Sequence, residues 1–201
     1  MKKLLILYPA EFKCRSKFDR KISKILSQLT DYCVVYPYDF NNYISSFFST
    51  SLPLCQYFED GAWKDSEITH AIVFDDGEVF LEEISFIENS GIKLRKIDIS
   101  ITRVINIKKE ISYQNIKSTP KYEYIGRGSY WGNPYSMYEA GEDRDEVIRK
   151  YKYDFDHEKF PNKNKSEVYK LAGKRLGCFC KPQTCHGDIL ADFLNSWDDL
   201  K

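Results

Sequence analysis

The sequence has no excess of charge of either sign, because its 30 lysine and arginine residues balance 30 aspartate and glutamate residues. Without a net positive field, the chain is not drawn onto DNA or an anionic membrane, so we do not expect a nucleic-acid partner. Long apolar runs are also absent, and no stretch approaches the length of a membrane span. The 42% hydrophobic content, with 15% aromatic residues, is that of a globular protein rather than a disordered one.

The first residues lack the features of an export signal. Their apolar run, 4–8, is short, and charged residues follow it from Glu11 onward. We therefore expect a first β-strand here and a cytoplasmic protein, which would act in the host cytoplasm if its source is viral. Internal repeats and low-complexity tracts are absent too, so neither is expected to organise the fold.

The first hundred residues alternate strand and helix patterns. Short apolar runs predict strands at 4–8, 33–36 and 69–74, and amphipathic spacing predicts helices at 18–29 and 78–89. After the helix cap expected at Gly91, 92–99 is predicted to return as a strand. The segment 41–63 is less regular. This alternation is typical of a parallel sheet. The sequence therefore predicts an α/β fold with a Rossmann-like parallel sheet in a first domain, 1–112.

A polar segment at 108–121 contains Ser118-Thr119-Pro120 and has no sustained period, so it is the expected domain boundary. The alternative is an ordinary crossover inside one domain. Beyond it, the pattern predicts strands at 122–125 and 176–180 and helices at 144–153, 166–172 and 184–197. We expect these elements to form a smaller α/β domain, 120–201.

Three of the six cysteines lie within eight residues, at Cys178, Cys180 and Cys185. In a chain without an export signal, such a cluster indicates metal or thiol chemistry rather than disulfide bonds. With His186 they match the ligand count of a closed zinc site, and zinc is the one cofactor that the sequence suggests. Alternatively, a helix N-terminus lowers the pKa of Cys185, with His186 as acid or base and Asp188 as its orienter. The remaining alternative is that the cysteines only pack.

A glycine-rich loop carries the motif Gly-Arg-Gly-Ser at 126–129 and Gly-Asn-Pro at 132–134. Glycines let a backbone turn sharply and approach an anionic ligand, and an arginine can bind a phosphate or carboxylate with two hydrogen bonds. We therefore predict that Arg127, Gly128, Ser129 and Asn133 bind a ligand. An ordinary turn is the alternative.

These motifs are joined by Leu-x-Gly-Lys-x-Leu-Gly-Cys-Phe-Cys-Lys-Pro at 171–182 and Cys-His-Gly-Asp at 185–188. In this order they resemble the phage and bacterial family known as domain of unknown function 4326, over about a third of the chain. The matching positions are Arg127, Gly128, Asn133, Pro134, Gly173, Lys174, Cys178, Cys180, Pro182, Cys185, His186, Gly187 and Asp188. The resemblance adds Lys174 and Asp188 to the predicted ligand-binding residues. Phe179 stands where tryptophan is expected, an exchange that keeps an aromatic ring.

In the N-terminal half, Asp75-Asp76-Gly77 follows a predicted strand, and Glu83 lies on the next helix, eight residues before Gly91. This arrangement is similar to that of nucleoside deoxyribosyltransferases and their nucleotide-binding relatives. In those relatives a helix glutamate attacks the sugar C1′, which implies Glu83 as nucleophile and Asp75 and Asp76 as sugar-orienting residues. Helical geometry puts Glu83 beside the buried stripe, although a solvated glutamate is the alternative.

Three functions follow. The first is an enzyme that cleaves or transfers the N-glycosidic bond of a nucleotide- or nucleoside-derived small molecule, with Glu83 as nucleophile and Arg127 holding an anionic group. The second is a non-catalytic protein that sequesters a nucleotide in counter-defence, and the third is a zinc-stabilised interaction module. After the first predicted strand, Tyr8-Pro9-Ala10-Glu11 stands in place of a Gly-rich turn. A homo-oligomer is compatible with all three.

Overall fold

The computed structural model describes residues 1–136, 141, 143–160 and 163–200. The chain forms two compact units: unit 1 comprises Met1–Ile99 with Ser196–Lys201, and unit 2 comprises Ser100–Asn195. Across the described residues, every helix is too short or too polar to span a membrane.

Unit 1 is built on a five-stranded parallel sheet. Its strands are β1 (Lys2–Leu7), β2 (Tyr32–Tyr36), β3 (Tyr57–Glu59), β4 (His70–Asp75) and β5 (Lys93–Asp98). They lie in the order β3-β2-β1-β4-β5, with every neighbouring pair parallel. The connections run in opposite directions from β1, so the switch point of the sheet lies between β1 and β4. The predicted Rossmann-like α/β fold is confirmed.

The helices of unit 1 are α1 (Arg15–Leu26), α2 (Tyr43–Ser51) and α3 (Leu81–Asn89), with a short 3-10 helix at Trp63–Asp65. The sequence predicted α1 and α3, and Gly91 after α3 has the expected positive φ, 68°. The segment 41–63, which we described as irregular, contains α2 and β3. Both elements are short, so the sequence pattern gave too few periods to reveal them.

The core of unit 1 includes the central strands, whose side chains are buried on both faces. Leu5, Ile6, Val34 and Val73 are fully buried, as expected for parallel strands covered on both sides. Phe18 of α1 stacks on Phe74 of β4 at 5.2 Å between ring centroids. Each such fully buried side chain stabilises the fold by about 1.5–3 kcal/mol.

Unit 2 contains a four-stranded sheet in the order β6-β9-β8-β7. Its strands are β6 (Arg103–Asn106), β7 (Ser118–Thr119), β8 (Tyr122–Tyr124) and β9 (Arg175–Cys178). Strand β9 pairs in parallel with β6 and β8, while β7 and β8 are antiparallel. The helices are α4 (Arg144–Asp156) and α5 (His186–Asn195), with 3-10 helices at Ile111–Tyr113 and Lys165–Leu171. The predicted smaller α/β unit is confirmed.

The division between the units lies earlier than the 112–120 boundary expected from the sequence. It falls between Ile99 and Ser100, because β6 pairs with β9 in the second sheet. The polar segment 108–121 lies within unit 2, where it contains the 3-10 helix Ile111–Tyr113 and β7. Its polarity did not show to which sheet the preceding strand belongs.

The segment after α5 belongs to unit 1, where it contacts α1. Lys17 Nζ forms an ion pair with Asp199 Oδ1 at 2.8 Å, and Arg20 forms one with Asp198 at 2.8 Å. The hydroxyl of Ser16 also donates to Asp198. The Lys17 side chain is only 6% exposed, so Asp199 compensates a largely buried positive charge.

Candidate functional site

A cleft of about 390 Å³ opens at the carboxyl ends of β1 and β2 in unit 1. Leu7 and Tyr38 line it from the strand ends, residues 61–65 line one side, and Phe80 and Glu83 line it from the start of α3. Parallel sheets bind ligands at this edge. The volume lies within the range of roughly 300–1,000 Å³ that is usual for small-molecule sites.

Glu83 is half-buried in this cleft, whereas Glu82 is exposed. Ile84 and Ile87 of the same helix point into the core, and Glu83 borders the stripe that they form. Among the described residues, none forms a hydrogen bond or ion pair with the Glu83 carboxylate. The carboxylate is therefore available to a ligand.

The 3-10 helix Trp63–Asp65 contributes two charged side chains and one aromatic side chain to the lining of the cleft. Trp63 is buried and packs edge to face on Phe86 at 5.6 Å. Lys64 Nζ lies 5.8 Å from the centroid of the Trp63 ring. With Asp65, the lining carries two carboxylates and one ammonium group. Aromatic walls with a few polar groups suit a flat, mostly uncharged ligand.

Asp75 and Asp76 do not line this cleft. The Asp75 carboxylate accepts a hydrogen bond from the N–H of Gly77 at 2.8 Å. The Asp76 carboxylate accepts from the N–H groups at positions 78 and 79, both at 3.0 Å. The two side chains thus fix the turn that leads into α3, which is a structural alternative to the sugar-orienting role predicted for them.

Cys178, Cys180 and Cys185 form one compact cluster in unit 2, as predicted. Their Sγ atoms all lie within 4.8 Å of one another, and those of Cys178 and Cys180 are 3.5 Å apart. Cys178 ends β9 and Cys185 directly precedes α5, so the turn 181–184 brings them together. All are free thiols.

His186 does not belong to this group, which corrects the expected four-ligand set. Its buried ring lies with Nε2 2.9 Å from the carbonyl oxygen of Ile125, and it packs against Tyr151 at 5.0 Å. Burial lowers the pKa of His186 to about 4. A neutral imidazole bound to a backbone carbonyl holds the loop that follows β8 against α5.

The three thiols differ in acidity, and the order is not the one predicted. Cys185 donates a hydrogen bond to Cys178, which lowers the pKa of Cys178 and raises that of Cys185. Burial raises the pKa of Cys180. The expected low pKa of Cys185 is therefore wrong, because its hydrogen bond and its burial outweigh the helix N-terminus.

Asp188 stabilises the start of α5 and does not orient His186. Its carboxylate accepts a hydrogen bond from the backbone N–H of Cys185 at 2.9 Å and forms an ion pair with Lys181 at 2.6 Å. Both contacts fix the turn between Cys180 and Cys185. Through these contacts Asp188 holds the turn that brings the cysteines together.

A cavity of about 100 Å³ adjoins the cysteines within unit 2. Besides the three cysteines, its lining residues are Arg127, Asn133, Tyr135, Arg144, Val147, Ile148 and His186. The sequence predicted Arg127 and Asn133 but missed Tyr135 and the α4 residues. Asp143 caps the start of α4, because its side chain accepts from the N–H of Glu146 at 2.8 Å. An aspartate at this position is the sequence signal that places Arg144 in the first turn of the helix.

The other predicted ligand-binding residues lie outside this lining. Gly128 has φ 79°, and the N–H of Ser129 donates to the carbonyl of Gly126 at 3.1 Å, so both form a tight turn. Lys174 forms a half-buried ion pair with Glu123 at 3.0 Å. Their observed contacts are structural.

The five-stranded parallel sheet and the helices connecting its strands define unit 1 as a Rossmann-like α/β domain. The chain belongs to the family described as Minimal SLOG domain, which matches residues 1–105. Residues 105–196 match the family described as Domain of unknown function (DUF4326). Both resemblances seen in the sequence are confirmed, since the SLOG-like domain is related to the nucleoside deoxyribosyltransferase-like fold.

One relative comes from Enterobacteria phage T4. It is described as "Uncharacterized 12.4 kDa protein in nrdA-td intergenic region" and is 44% identical over 72 residues. The match covers 35% of the present chain and 65% of that protein, which is less than two thirds of its length. No solved structure matches the chain.

Proposed function

We propose that unit 1 binds a nucleoside-derived small molecule in its cleft and cleaves or transfers the N-glycosidic bond with Glu83 as nucleophile. The half-buried Glu83 carboxylate at the carboxyl edge of the sheet carries this proposal. A carboxylate oxygen attacks C1′, the bond from C1′ to the base nitrogen breaks, and water or a second base then resolves the glycosyl ester. Membership of a SLOG-type, nucleotide-related family supports this class of ligand.

The charges around the cleft favour the nucleoside part over a polyphosphate. No Gly-rich turn follows β1, where Tyr8-Pro9-Ala10-Glu11 stands. The backbone donors of the turn before α3, which could face a phosphate, already bind Asp75 and Asp76. Two carboxylates in the lining would repel a phosphate further.

Glu83→Gln tests the proposed role, with Glu82→Gln as the matched control on the same helix. The purified full chain is incubated with a panel of ribo- and deoxyribonucleosides, and base release is measured by chromatography. Because the amide cannot attack C1′, we expect Glu83→Gln to lower turnover by about a thousandfold or more while nucleoside binding persists. Glu82→Gln should retain full turnover, since its side chain is exposed.

Equal turnover in the Glu83→Gln variant and the native protein would contradict the nucleophile assignment. Nucleoside binding without any turnover in the native protein would instead support the non-catalytic, sequestering function. Absence of both binding and turnover would reject the proposed ligand class.

We also propose that unit 2 binds zinc through Cys178, Cys180 and Cys185. In a tetrahedral site with zinc to sulfur distances of about 2.3 Å, the sulfurs lie about 3.8 Å apart. The observed cluster, with all Sγ atoms within 4.8 Å, is close to that arrangement. Zinc would supply a cross-link between the end of β9 and the start of α5.

Hydrogen-bond donors surround these sulfurs, as they do around metal-bound thiolates. The backbone N–H of Gly187 donates to Cys185 Sγ at 3.3 Å. Backbone N–H groups of residues 180 and 179 help to lower the pKa of Cys178, and Arg144 opposes the rise that burial causes in the pKa of Cys180. A divalent cation bound to the three sulfurs would compensate the negative charge of their thiolate forms.

Metal content and alkylation test this site on the purified chain. We expect about one zinc per chain by mass spectrometry and loss of zinc in Cys178→Ser, whereas Cys55→Ser in unit 1 should retain it. The three thiols should resist alkylation until a chelator is added, and chelation should destabilise unit 2. A chain without zinc whose cysteines alkylate equally with or without chelator would contradict the proposal.

A further inference from the structure

The cysteine cluster and its cavity lead to one inference, which rests on the proposed zinc binding. We infer that the zinc site is open, with three sulfur ligands from the chain and a fourth position that faces the cavity, where Arg127 and Arg144 select a small anionic ligand. This differs from a closed structural site, in which four side chains complete the coordination. It assigns unit 2 a ligand-binding role of its own.

Within the part of the chain that the structure describes, the group able to hold a metal consists of three cysteines and includes no histidine or carboxylate. His186, the nearest candidate in sequence, binds the Ile125 carbonyl through Nε2. Asp188 is held by the Cys185 N–H and by Lys181. Neither side chain is directed at the sulfurs, so among these residues the fourth position has no protein ligand.

The space beside the sulfurs suits a small ligand. All three cysteines line the cavity of about 100 Å³, and a water molecule occupies about 30 Å³ of liquid volume. The cavity therefore has room for a few waters or one tetrahedral oxyanion. Val147 and Ile148 provide apolar walls, which strengthen the attraction between charges inside.

The charges in the cavity favour an anion. Arg144, at the first position of α4, lines the cavity together with Cys180 and donates to the carbonyl of Thr184 at 3.3 Å. Arg127 lines the cavity from the glycine-rich loop. Guanidinium groups bind the oxygens of a small oxyanion with two hydrogen bonds each, so two arginines in one lining suit such a ligand.

Asn133 holds the two arginine-bearing segments together. Its amide donates to the carbonyl of Val147 in α4 at 3.2 Å, and its carbonyl oxygen accepts from the N–H of Tyr135 at 2.9 Å. The loop that carries Arg127 is thus fixed to the helix that carries Arg144.

The test uses the full chain with cobalt in place of zinc, titrated with inorganic phosphate. An open site should change its visible absorption spectrum saturably as phosphate replaces the solvent ligand. Arg127→Gln and Arg144→Gln should each weaken the apparent phosphate affinity at least tenfold while metal content stays at about one ion per chain. Arg149→Gln, on the same helix but exposed and outside the cavity, should leave both unchanged.

X-ray absorption of the zinc-loaded native protein gives a second readout that needs no variant. Three sulfur neighbours at about 2.3 Å and one lighter neighbour at about 2.0–2.1 Å would support the open site. Four sulfur neighbours, or a cobalt spectrum insensitive to phosphate, would overturn the inference while zinc binding stands. A chain that binds no metal would overturn both.

Discussion

Asp39 shows how a single half-buried carboxylate can hold several segments of unit 1. Its Oδ1 accepts from the Tyr8 hydroxyl at 2.5 Å and from the N–H of Ile44 at 3.0 Å. Its Oδ2 accepts from the N–H of Ser45 at 2.8 Å. The side chain therefore connects the end of β1 to the start of α2. Asn42, which directly precedes α2, makes no capping hydrogen bond with its side chain. Asp39 instead accepts from N–H groups in the first turn of that helix.

We predict that Asp39→Asn destabilises unit 1 by about 1.5–3 kcal/mol at neutral pH, the range for hydrogen bonds to a charged group. An amide nitrogen in place of one oxygen would face an N–H donor, so at least one bond is lost. Tyr8→Phe should cost less, because the backbone donors to Asp39 remain. Denaturant unfolding of the three proteins measures the difference, and equal stability of Asp39→Asn and the native chain would contradict it.

The pH dependence provides a second readout of the same carboxylate. Burial opposes ionisation of Asp39, but hydrogen bonds from Tyr8 and Ser45 outweigh it and lower the pKa. The stabilisation is therefore fully present above the unfolded pKa of about 3.9 and is lost as the pH falls through the folded value. We expect the stability of Asp39→Asn to depend less on pH in that acidic range.

At the residue scale, the sequence located one site better than the other. Helical periodicity placed Glu83 beside the buried stripe, and the structure shows it in the cleft. The same approach could not find Arg144 or Tyr135, because their role depends on which helix folds back over the cysteines. Nor could it show that His186 faces Ile125, since both an inward and an outward ring fit the same sequence.

At the element scale, strongly periodic segments were predictable and short ones were not. The strands β1, β2 and β4 are rich in apolar residues, whereas β5 mixes apolar and charged residues. Each of the four lies within two residues of its predicted bounds. Helix α2 begins through a carboxylate four residues upstream, a contact that periodicity does not record. Strand β6 is four residues long, and its partner β9 lies far along the chain. Strand β6 belongs to unit 2 because it pairs with β9, and a pairing between distant segments cannot be read from local sequence.

At the scale of the whole molecule, the chain completes unit 1 with residues that follow unit 2. The ion pair between Lys17 and Asp199 anchors this segment, with side chains 6% and 22% exposed. We predict that Asp199→Asn lowers the free energy of unfolding. The loss should exceed the roughly 0–1 kcal/mol of a surface ion pair and stay below the roughly 3–5 kcal/mol of a fully buried one.

Lys17→Met combined with Asp199→Asn should recover much of that loss, because no buried charge is then left without its partner. The free energy of unfolding in denaturant, measured for both single variants and the double variant, gives the coupling between the two residues. Additive losses would show that the pair does not anchor the segment.

This chain order also affects how the protein is made. Domains usually fold in sequence as the chain leaves the ribosome, the first one before the next is complete. Here the carboxylate that neutralises Lys17 is translated only after the whole of unit 2. The nascent sheet can assemble early, but the surface of α1 that receives Asp198 and Asp199 stays uncovered until translation reaches them. The last residues thus complete the first unit.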